Sequence, residues 1–341
     1  MPRHNFRPLQ GRIEYLEIES TALQDNLLDD PHRRQTAIYL PAGYDATSDD
    51  YPLFLDLAGF TGSGLKHLAW QAFGESLPQR VDRLTSHDDM GPVILVLPDC
   101  FTSLGGNQYV NSIAMGRWED YLLQEVVPLV EQRYRVRSGP GHRAVFGRSS
   151  GGYGALIQGM RHGEHWGAVA CHSGDMNFDI LYRSDLPRTL DVLARHERSV
   201  ERFLTHLESE PKLTGNDTHA LMILAMAASY APEADAPRGV RLPVDLWTCA
   251  LDDRRWRRWL EHDPLTLIEQ PSVQDSLRRL SGLFIDCGSY DQYAIHYGTR
   301  ALARRLDALG IKHTHEEFAD NHSGVEYRLD RSLPFLYRAV G

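Results

Sequence analysis

The sequence predicts an α/β fold in which a mostly parallel central sheet is flanked by helices and carries a helical cap insertion. Two observations predict it. Nearly continuous apolar runs occur at 51–60 (YPLFLDLAGF) and 92–100 (PVILVLPDC), and helical patterns alternate with runs of this kind along the chain. Continuous apolar runs suit strands that are buried on both faces of a parallel sheet. The strand–helix alternation favours an open sheet with helices on both sides.

The remaining elements of the core follow in chain order. Two β-rich segments come first, a strand at 11–20 that alternates apolar and polar side chains and a strand at 33–41 that Pro41 closes. Further strands are predicted at 142–147, 166–174, 280–288 and 312–320, and helices at 65–83, 117–133, 149–162, 293–310 and 323–339. Pro128 predicts a kink or break in its helix, and Gly310 is a typical C-cap.

Residues 175–279 depart from this alternation, because they contain helical patterns, prolines and acidic loop segments but no clear buried strand. Their two ends would join consecutive strands of one sheet. We therefore interpret 175–279 as a helical cap and 1–174 with 280–341 as the core. Within the cap, 252–259 (DDRRWRRW) holds four arginines and two tryptophans that suit an anionic or aromatic substrate. We favour the alternative interpretation, a solvated helix face whose tryptophans turn inward.

The composition excludes several classes of function. A net charge of −10 argues against nucleic-acid binding, and no apolar run reaches the ~18–20 residues of a membrane helix. The N-terminal segment lacks an apolar core of a secretory signal, and the four cysteines are scattered as for buried thiols, so we expect a cytoplasmic protein. No cofactor is predicted. His313 and His315 alternate on one strand and lack a third ligand, so no metal site is predicted either.

Two adjacent serines lie in Gly147-Arg148-Ser149-Ser150-Gly151, between an apolar strand and a helical pattern. The segment matches G-x-S-x-G, in which the serine occupies a very tight strand-to-helix turn that larger flanking side chains would obstruct. Ser149 has glycine two positions before and two after it, whereas Ser150 has Arg148 at the earlier position. Ser149 is therefore the candidate nucleophile of an α/β-hydrolase fold.

A serine nucleophile needs a base, and the base needs an orienting acid, in the chain order Ser, Asp or Glu, His for this fold. Asp291 follows the predicted strand 280–288, and His322 lies in the loop after the last strand. Asp286 lies inside its strand, where its side chain is expected to point into the structure. Asp320 is too close to His322 in sequence for the usual arrangement. We therefore predict Asp291 as the acid and His322 as the base.

The oxyanion of an acyl-transfer intermediate needs two backbone N–H donors. We predict Phe60, which follows the flexible Gly59, and Ser150, whose amide begins a helix. Substrate contacts are predicted from loops that border the same end of the sheet, with ordinary loop packing as the alternative for each: Phe101, Asn107, Gln108, Tyr109 and His172.

Six segments in chain order carry a family resemblance over most of the chain: AGFTG (58–62), LPDCFTSLGGNQYVNS (97–112), RWEDYLLQEVVPLVE (117–131), GRSSGG (147–152), IDCGSYDQY (285–293) and DNHSG (320–324). The sequence resembles the esterase D / putative esterase family of α/β-hydrolases, with its enterochelin-esterase-like proteins, S-formylglutathione hydrolases, feruloyl esterases and antigen 85 mycolyltransferases. The resemblance implies the same triad and oxyanion donors. Arg148 departs from the histidine, small or hydrophobic residue more common there, and 175–279 is longer than in the S-formylglutathione hydrolases.

These observations favour a serine carboxylesterase that forms an acyl-enzyme with a small-molecule ester, its expected partner. Alternatives are an acyltransferase, a thioesterase similar to S-formylglutathione hydrolase, and an esterase of siderophores or depsipeptides. A catalytically inactive binding protein is the alternative outside enzymes, and the intact set of Ser149, Asp291 and His322 argues against it. A homo-oligomer is compatible with the sequence.

Overall fold

The computed structural model of the chain describes residues 3–341 and contains an eight-stranded sheet in the order β1-β2-β4-β3-β7-β8-β9-β10. The strands of this sheet are β1 Arg12–Glu19, β2 Arg33–Leu40, β3 Leu53–Leu57, β4 Ile94–Pro98, β7 Arg143–Arg148, β8 Ala168–His172, β9 Gly282–Gly288 and β10 Thr314–Phe318. β2 pairs antiparallel with β1 and β4, and the other neighbours pair parallel. The sheet is therefore mostly parallel, as the sequence predicts.

A short hairpin of β5 Asn111–Ser112 and β6 Gly116–Arg117 lies apart from this sheet. The helices of the core are α1 Leu77–Ser86, α2 Trp118–Asp120, α3 Val127–Arg133, α4 Ser150–Arg161, α12 Ile295–Ala308 and α13 Leu329–Val340. The helices between β8 and β9 are α5 Phe178–Leu181, α6 Leu186–Ala194, α7 Val200–Ser209, α8 Gly215–Tyr230, α9 Asp253–Leu260, α10 Pro264–Leu267 and α11 Pro271–Arg279.

Each face of the sheet is covered by a separate apolar core. Side chains of β3 alternate between the two, so that Leu53, Leu55 and Leu57 join the larger core and Phe54 joins the smaller one with residues of α1 and α13. Burial of both faces explains why the strands read as continuous apolar runs. The parallel strands also bring their carboxyl ends to one edge, where α/β proteins place their sites.

The predicted helix at 65–83 is wrong in its extent. The chain forms a short 3-10 segment at Gly64–Leu68, then a loop, and α1 begins only at Leu77. The Ser76 hydroxyl accepts from the Gln79 backbone N–H while the Gln79 side chain accepts from the Ser76 N–H. This reciprocal capping box, followed by Pro78 in the first turn, fixes the start of the helix.

The predicted helix at 117–133 forms without a break, because a π-helical stretch at Tyr121–Val126 joins α2 to α3. Pro128 lies in the first turn of α3. A proline lacks an N–H and clashes with the carbonyl four residues earlier, and the wider π turn accommodates both.

Between β8 and β9, the described chain forms helices and loops and contributes no strand to the sheet. Five buried aromatic rings of this segment pack together: Phe178, Tyr182, Tyr230, Trp256 and Trp259. The ring of Tyr153 in α4 packs against Phe178. Its last helix, α11, packs against α4 of the core. The division into a core and a cap stays a prediction.

The arginine- and tryptophan-rich segment forms α9, and its side chains have internal partners. Trp256 and Trp259 are buried, and Arg255 and Arg258 bind Glu233 at 2.6 and 2.8 Å. The indole N–H of Trp256 donates to an aspartate of α5. These contacts confirm the solvated helix face with inward tryptophans, which we favoured over a substrate clasp.

Candidate active site

Ser149 lies between the end of β7 and the start of α4 with φ 58° and ψ −127°. A residue other than glycine rarely adopts these backbone angles, and strained backbone conformations concentrate at functional sites. The glycines on either side are required by space, because a Cβ at Gly147 would lie 2.4 Å from the Leu57 carbonyl oxygen and a Cβ at Gly151 only 1.8 Å from it. The turn at Ser149 therefore has the geometry of a nucleophile elbow.

Ser150 is buried as the first residue of α4, and its hydroxyl accepts from Gln108 Nε2 at 2.7 Å. Its backbone N–H belongs to the first turn of the helix, where amide groups have no intrahelical acceptor. The two adjacent serines thus differ in conformation. The Ser149 side chain extends from the elbow, whereas the Ser150 hydroxyl is engaged inside the protein.

The structure brings His322 and Asp291 together. The imidazole Nδ1 of His322 lies 2.7 Å from Asp291 Oδ2, and the Asp291 side chain is fully buried. The backbone N–H of Tyr293 donates to the other carboxylate oxygen at 2.9 Å, and its ring lies edge-on to the imidazole at 4.9 Å between centroids. A buried carboxylate on Nδ1 holds the proton there and leaves Nε2 free as a base.

The histidine loop contacts the elbow directly. Arg148, the residue before Ser149, donates from Nη1 to the backbone carbonyl of His322 at 2.8 Å. The loop that carries Phe60 reaches the same point, because a Cβ on Gly59 would lie 3.5 Å from the Ser149 Cβ. The predicted oxyanion loop therefore reaches Ser149, and the Arg148 side chain connects the His322–Asp291 pair to the elbow.

The oxyanion loop is braced by the segment that follows β4. The Gly106 N–H donates to the Phe60 carbonyl at 2.6 Å, and the Tyr109 hydroxyl donates to the Ala58 carbonyl at 2.5 Å. A Cβ on Gly106 would lie 2.6 Å from the Phe60 carbonyl oxygen, so the two loops are in close contact. These bonds hold the peptides on either side of the Gly59–Phe60 peptide, and the carbonyl of that peptide, on Gly59, accepts from the Gly62 N–H at 2.9 Å.

Three of the predicted substrate contacts are structural instead. Asn107, Gln108 and Tyr109 are at most 2% exposed, and their side chains bond to other protein groups. The ring of Tyr109 also packs against Gly154 of α4. The alternative of ordinary loop packing therefore applies to all three. Phe101 is 42% exposed at the surface, and its role stays a prediction.

His172 is likewise not a substrate contact, because both of its ring nitrogens are bonded inside the protein. Nδ1 lies 2.7 Å from Asp286 Oδ1, and Nε2 lies 2.8 Å from the Ser332 hydroxyl of α13. Arg328 donates to the other oxygen of Asp286 at 2.8 Å. His172 shares the sheet face of Ala168 and Ala170, which α13 covers.

This buried group has the bonding pattern of a Ser-His-Asp triad but lacks what catalysis requires. All three side chains are at most 3% exposed, and Ser332 lies inside α13 rather than on a strand-to-helix turn. Its hydroxyl is already in contact with the imidazole in a closed core. The bonding pattern alone therefore does not identify a triad. The feature that distinguishes the candidate set around Ser149 from the buried set around Ser332 is the strand-to-helix elbow at Ser149.

A buried polar network behind the elbow escaped the sequence reasoning. The Asp175 carboxylate accepts from the Tyr182 hydroxyl at 2.7 Å, and Tyr230 donates to Gln108 at 3.1 Å. Burial raises the pKa of Asp175 to about 6, and the Tyr182 hydrogen bond and His322 oppose that rise. The one sequence signal that could have drawn attention to Asp175 is its place just after the predicted strand 166–174.

Among residues 3–341 there is no group of three or more His, Cys, Asp or Glu side chains arranged to hold a metal ion. His313 bonds to the backbone carbonyl of Ile311 at 2.9 Å. In the same part of the chain, no helix is both long and apolar enough to cross a membrane.

The family described as Putative esterase matches residues 31–328 of the sequence. The chain belongs to the putative esterase family. Esterase MT1326 and Esterase Rv1288, both of Mycobacterium tuberculosis, are 32% identical to it over 84 residues, which are 24% of this chain and 18% of each relative. The matched segment covers less than a fifth of each of these two relatives, and the sequence prediction of the family is confirmed.

Solved structures of similar fold include a ferulic acid esterase, with a TM-score of 0.63 and 18% identity over 97% of this chain and all of the other. An S-formylglutathione hydrolase from Agrobacterium tumefaciens has a TM-score of 0.59 and 15% identity, with both chains fully covered. FphF, a fluorophosphonate-binding serine hydrolase of Staphylococcus aureus, has a TM-score of 0.59 and 13% sequence identity, with 96% of this chain and 98% of FphF covered. These likenesses confirm that the chain has the predicted α/β-hydrolase fold.

Proposed function

We propose that this esterase is a serine carboxylesterase in which Ser149 is the nucleophile, His322 the general base and Asp291 the orienting acid. The observation that carries the proposal is the pair formed by His322 Nδ1 and the buried Asp291 carboxylate, 2.7 Å apart, beside the strained elbow of Ser149. A serine is a weak nucleophile until an oriented base accepts its proton, and this arrangement supplies both requirements.

The reaction proceeds in two steps. His322 Nε2 accepts the Ser149 proton as the oxygen attacks the ester carbonyl, and the backbone N–H groups of Phe60 and Ser150 donate to the oxyanion. The alcohol leaves with a proton from His322, which leaves an acyl group on Ser149. Water then attacks the acyl carbonyl and gives a proton to the same histidine, which passes it to the Ser149 oxygen as the bond to the acyl group breaks and the acid leaves. Asp291 stabilises the imidazolium in both steps.

The proposed partner is a small-molecule carboxylic ester, and the proposed location is the cytoplasm. Three of the four free cysteines are buried, and such thiols suit a reducing compartment. Relatives of similar fold include a ferulic acid esterase and an S-formylglutathione hydrolase, so the test panel contains aromatic and aliphatic esters and a thioester.

The test compares wild type with Ser149→Ala on this panel, with p-nitrophenyl acetate as the common reference. We expect hydrolysis of oxygen esters by wild type and a loss of at least ~10³-fold in kcat in the variant. Full turnover by Ser149→Ala would refute the proposal. Preference for the thioester, or acyl transfer to an added alcohol in place of hydrolysis, would replace carboxylesterase by thioesterase or acyltransferase.

A further inference from the structure

Among the described residues, neither the N–H nor the carbonyl of His322 forms a hydrogen bond with another backbone group. It lies in the loop between β10 and a 3-10 segment at Glu326–Arg328, where no strand or helix fixes the peptide. An imidazole must nevertheless keep its position to a fraction of an ångström to exchange a proton with the nucleophile. The loop must therefore be held by other means.

Two side chains hold it from opposite sides of the residue. Arg148 Nη1 donates to the His322 carbonyl at 2.8 Å, and Gln292 Oε1 accepts from the His322 N–H at 3.0 Å. The Gln292 amide also donates to the Ser323 hydroxyl at 3.4 Å. The Arg148 guanidinium pairs with Glu326 at 3.2 Å on the far side of the same loop.

Both holding residues are sequence neighbours of the other two members of the triad. Arg148 precedes Ser149, whose own N–H donates to the His172 carbonyl at 2.9 Å, and Gln292 follows the buried Asp291. Each contact therefore ties the histidine loop to a segment that is fixed independently. Movement of His322 away from either partner would stretch one of these two hydrogen bonds.

We propose that Arg148 and Gln292 are positioning residues that fix the His322 main chain relative to Ser149 and Asp291. The proposal rests on the proposed function, because it assigns these residues a role through the catalytic histidine. Neither side chain is assigned a contact with the substrate.

The test measures kcat and KM for Arg148→Met, Arg148→Lys, Gln292→Met and the double variant. A misplacement of about 1 Å costs ~10²-fold, so we expect Arg148→Met to lower kcat by roughly 10- to 100-fold with KM within about twofold. Lysine still donates one hydrogen bond to the carbonyl and is expected to restore most of the loss. Gln292 is exposed, so Gln292→Met is expected to fold and to lower kcat as well.

Arg137→Met is the matched control, because Arg137 also donates to a backbone carbonyl, that of Asp50 at 3.0 Å, far from the site. It is expected to keep wild-type kcat. Unchanged kcat in both Arg148→Met and Gln292→Met would overturn the proposal, as would a kcat loss in Arg148→Met that lysine does not restore. If Ser149→Ala remains active, the proposed function fails instead, whatever these variants show.

Discussion

Replacing Asp175 with asparagine is expected to stabilise the protein, relative to wild type, increasingly as the pH rises from about 4 to about 7. The carboxyl group of Asp175 is buried, and this burial raises its pKa from 3.8 to about 6. The nearby Asp291 carboxylate raises it too, while the hydrogen bond from Tyr182 and the imidazole of His322 favour the charged form. Burial outweighs these partners.

The sign follows from proton binding. Between pH 3.8 and about 6 the folded protein holds a proton on Asp175 that the unfolded chain has released, so the free energy of unfolding falls as the pH rises through this window. Above about pH 6 both states are ionised, and the full cost of burying the charge remains. A shift from 3.8 to about 6 corresponds to a cost on the order of 3 kcal/mol.

The assay is urea unfolding of wild type and Asp175→Asn at pH values from 4 to 8. Asparagine replaces one carboxylate oxygen by an amide NH₂ group, and a hydrogen bond lost in this way gives an offset of about 1 kcal/mol that does not depend on pH. The difference between the two proteins should then shift in favour of the variant by roughly 2–3 kcal/mol across the window. Asp191→Asn, at an exposed position of α6, controls for the loss of one carboxylate. A difference that does not depend on pH would refute the reasoning.

Two further substitutions separate the backbone and side-chain roles around the oxyanion site. Ser150→Ala keeps the proposed N–H donor but removes the acceptor of the buried Gln108 Nε2 group, so urea unfolding should show a loss of about 1–3 kcal/mol while kcat stays within about tenfold. A kcat loss as large as that of Ser149→Ala would contradict this division. Tyr109→Phe removes the 2.5 Å bond to the Ala58 carbonyl and should lower kcat about tenfold, less than the ~10²–10³-fold of a lost oxyanion donor. An unchanged kcat would show that the loop does not need this bond.

The sequence was sufficient for features that local chemistry determines. The apolar runs of β3 and β4 reflect burial on both faces, and the glycines around Ser149 reflect contacts of 2.4 Å or less that any Cβ would make. The start of α1 could also be predicted from the sequence, since Ser76 and Gln79 form a capping box. The predicted helix at 65–83 did not take this signal into account.

Features that depend on the direction of a side chain were not readable in the same way. His172 ends a strand beside the site, but strand alternation turns its imidazole to the face under α13, where Asp286 and Ser332 meet it. In the sequence, the loop with Asn107, Gln108 and Tyr109 resembles a polar binding loop. In the structure, segments that are distant along the chain bury all three residues. Arg148 and Gln292 contact His322 across separations of 174 and 30 residues, which no local pattern records.

Labelling with a fluorophosphonate, followed by peptide mass spectrometry, tests the central assignment most directly because the buried Ser332–His172–Asp286 group is a structural rival to the proposed triad. The account predicts one adduct on Ser149, no adduct in Ser149→Ala, and undiminished labelling in Ser332→Ala, which removes only the buried serine. An adduct on Ser332, or a labelled Ser149→Ala protein, would contradict it.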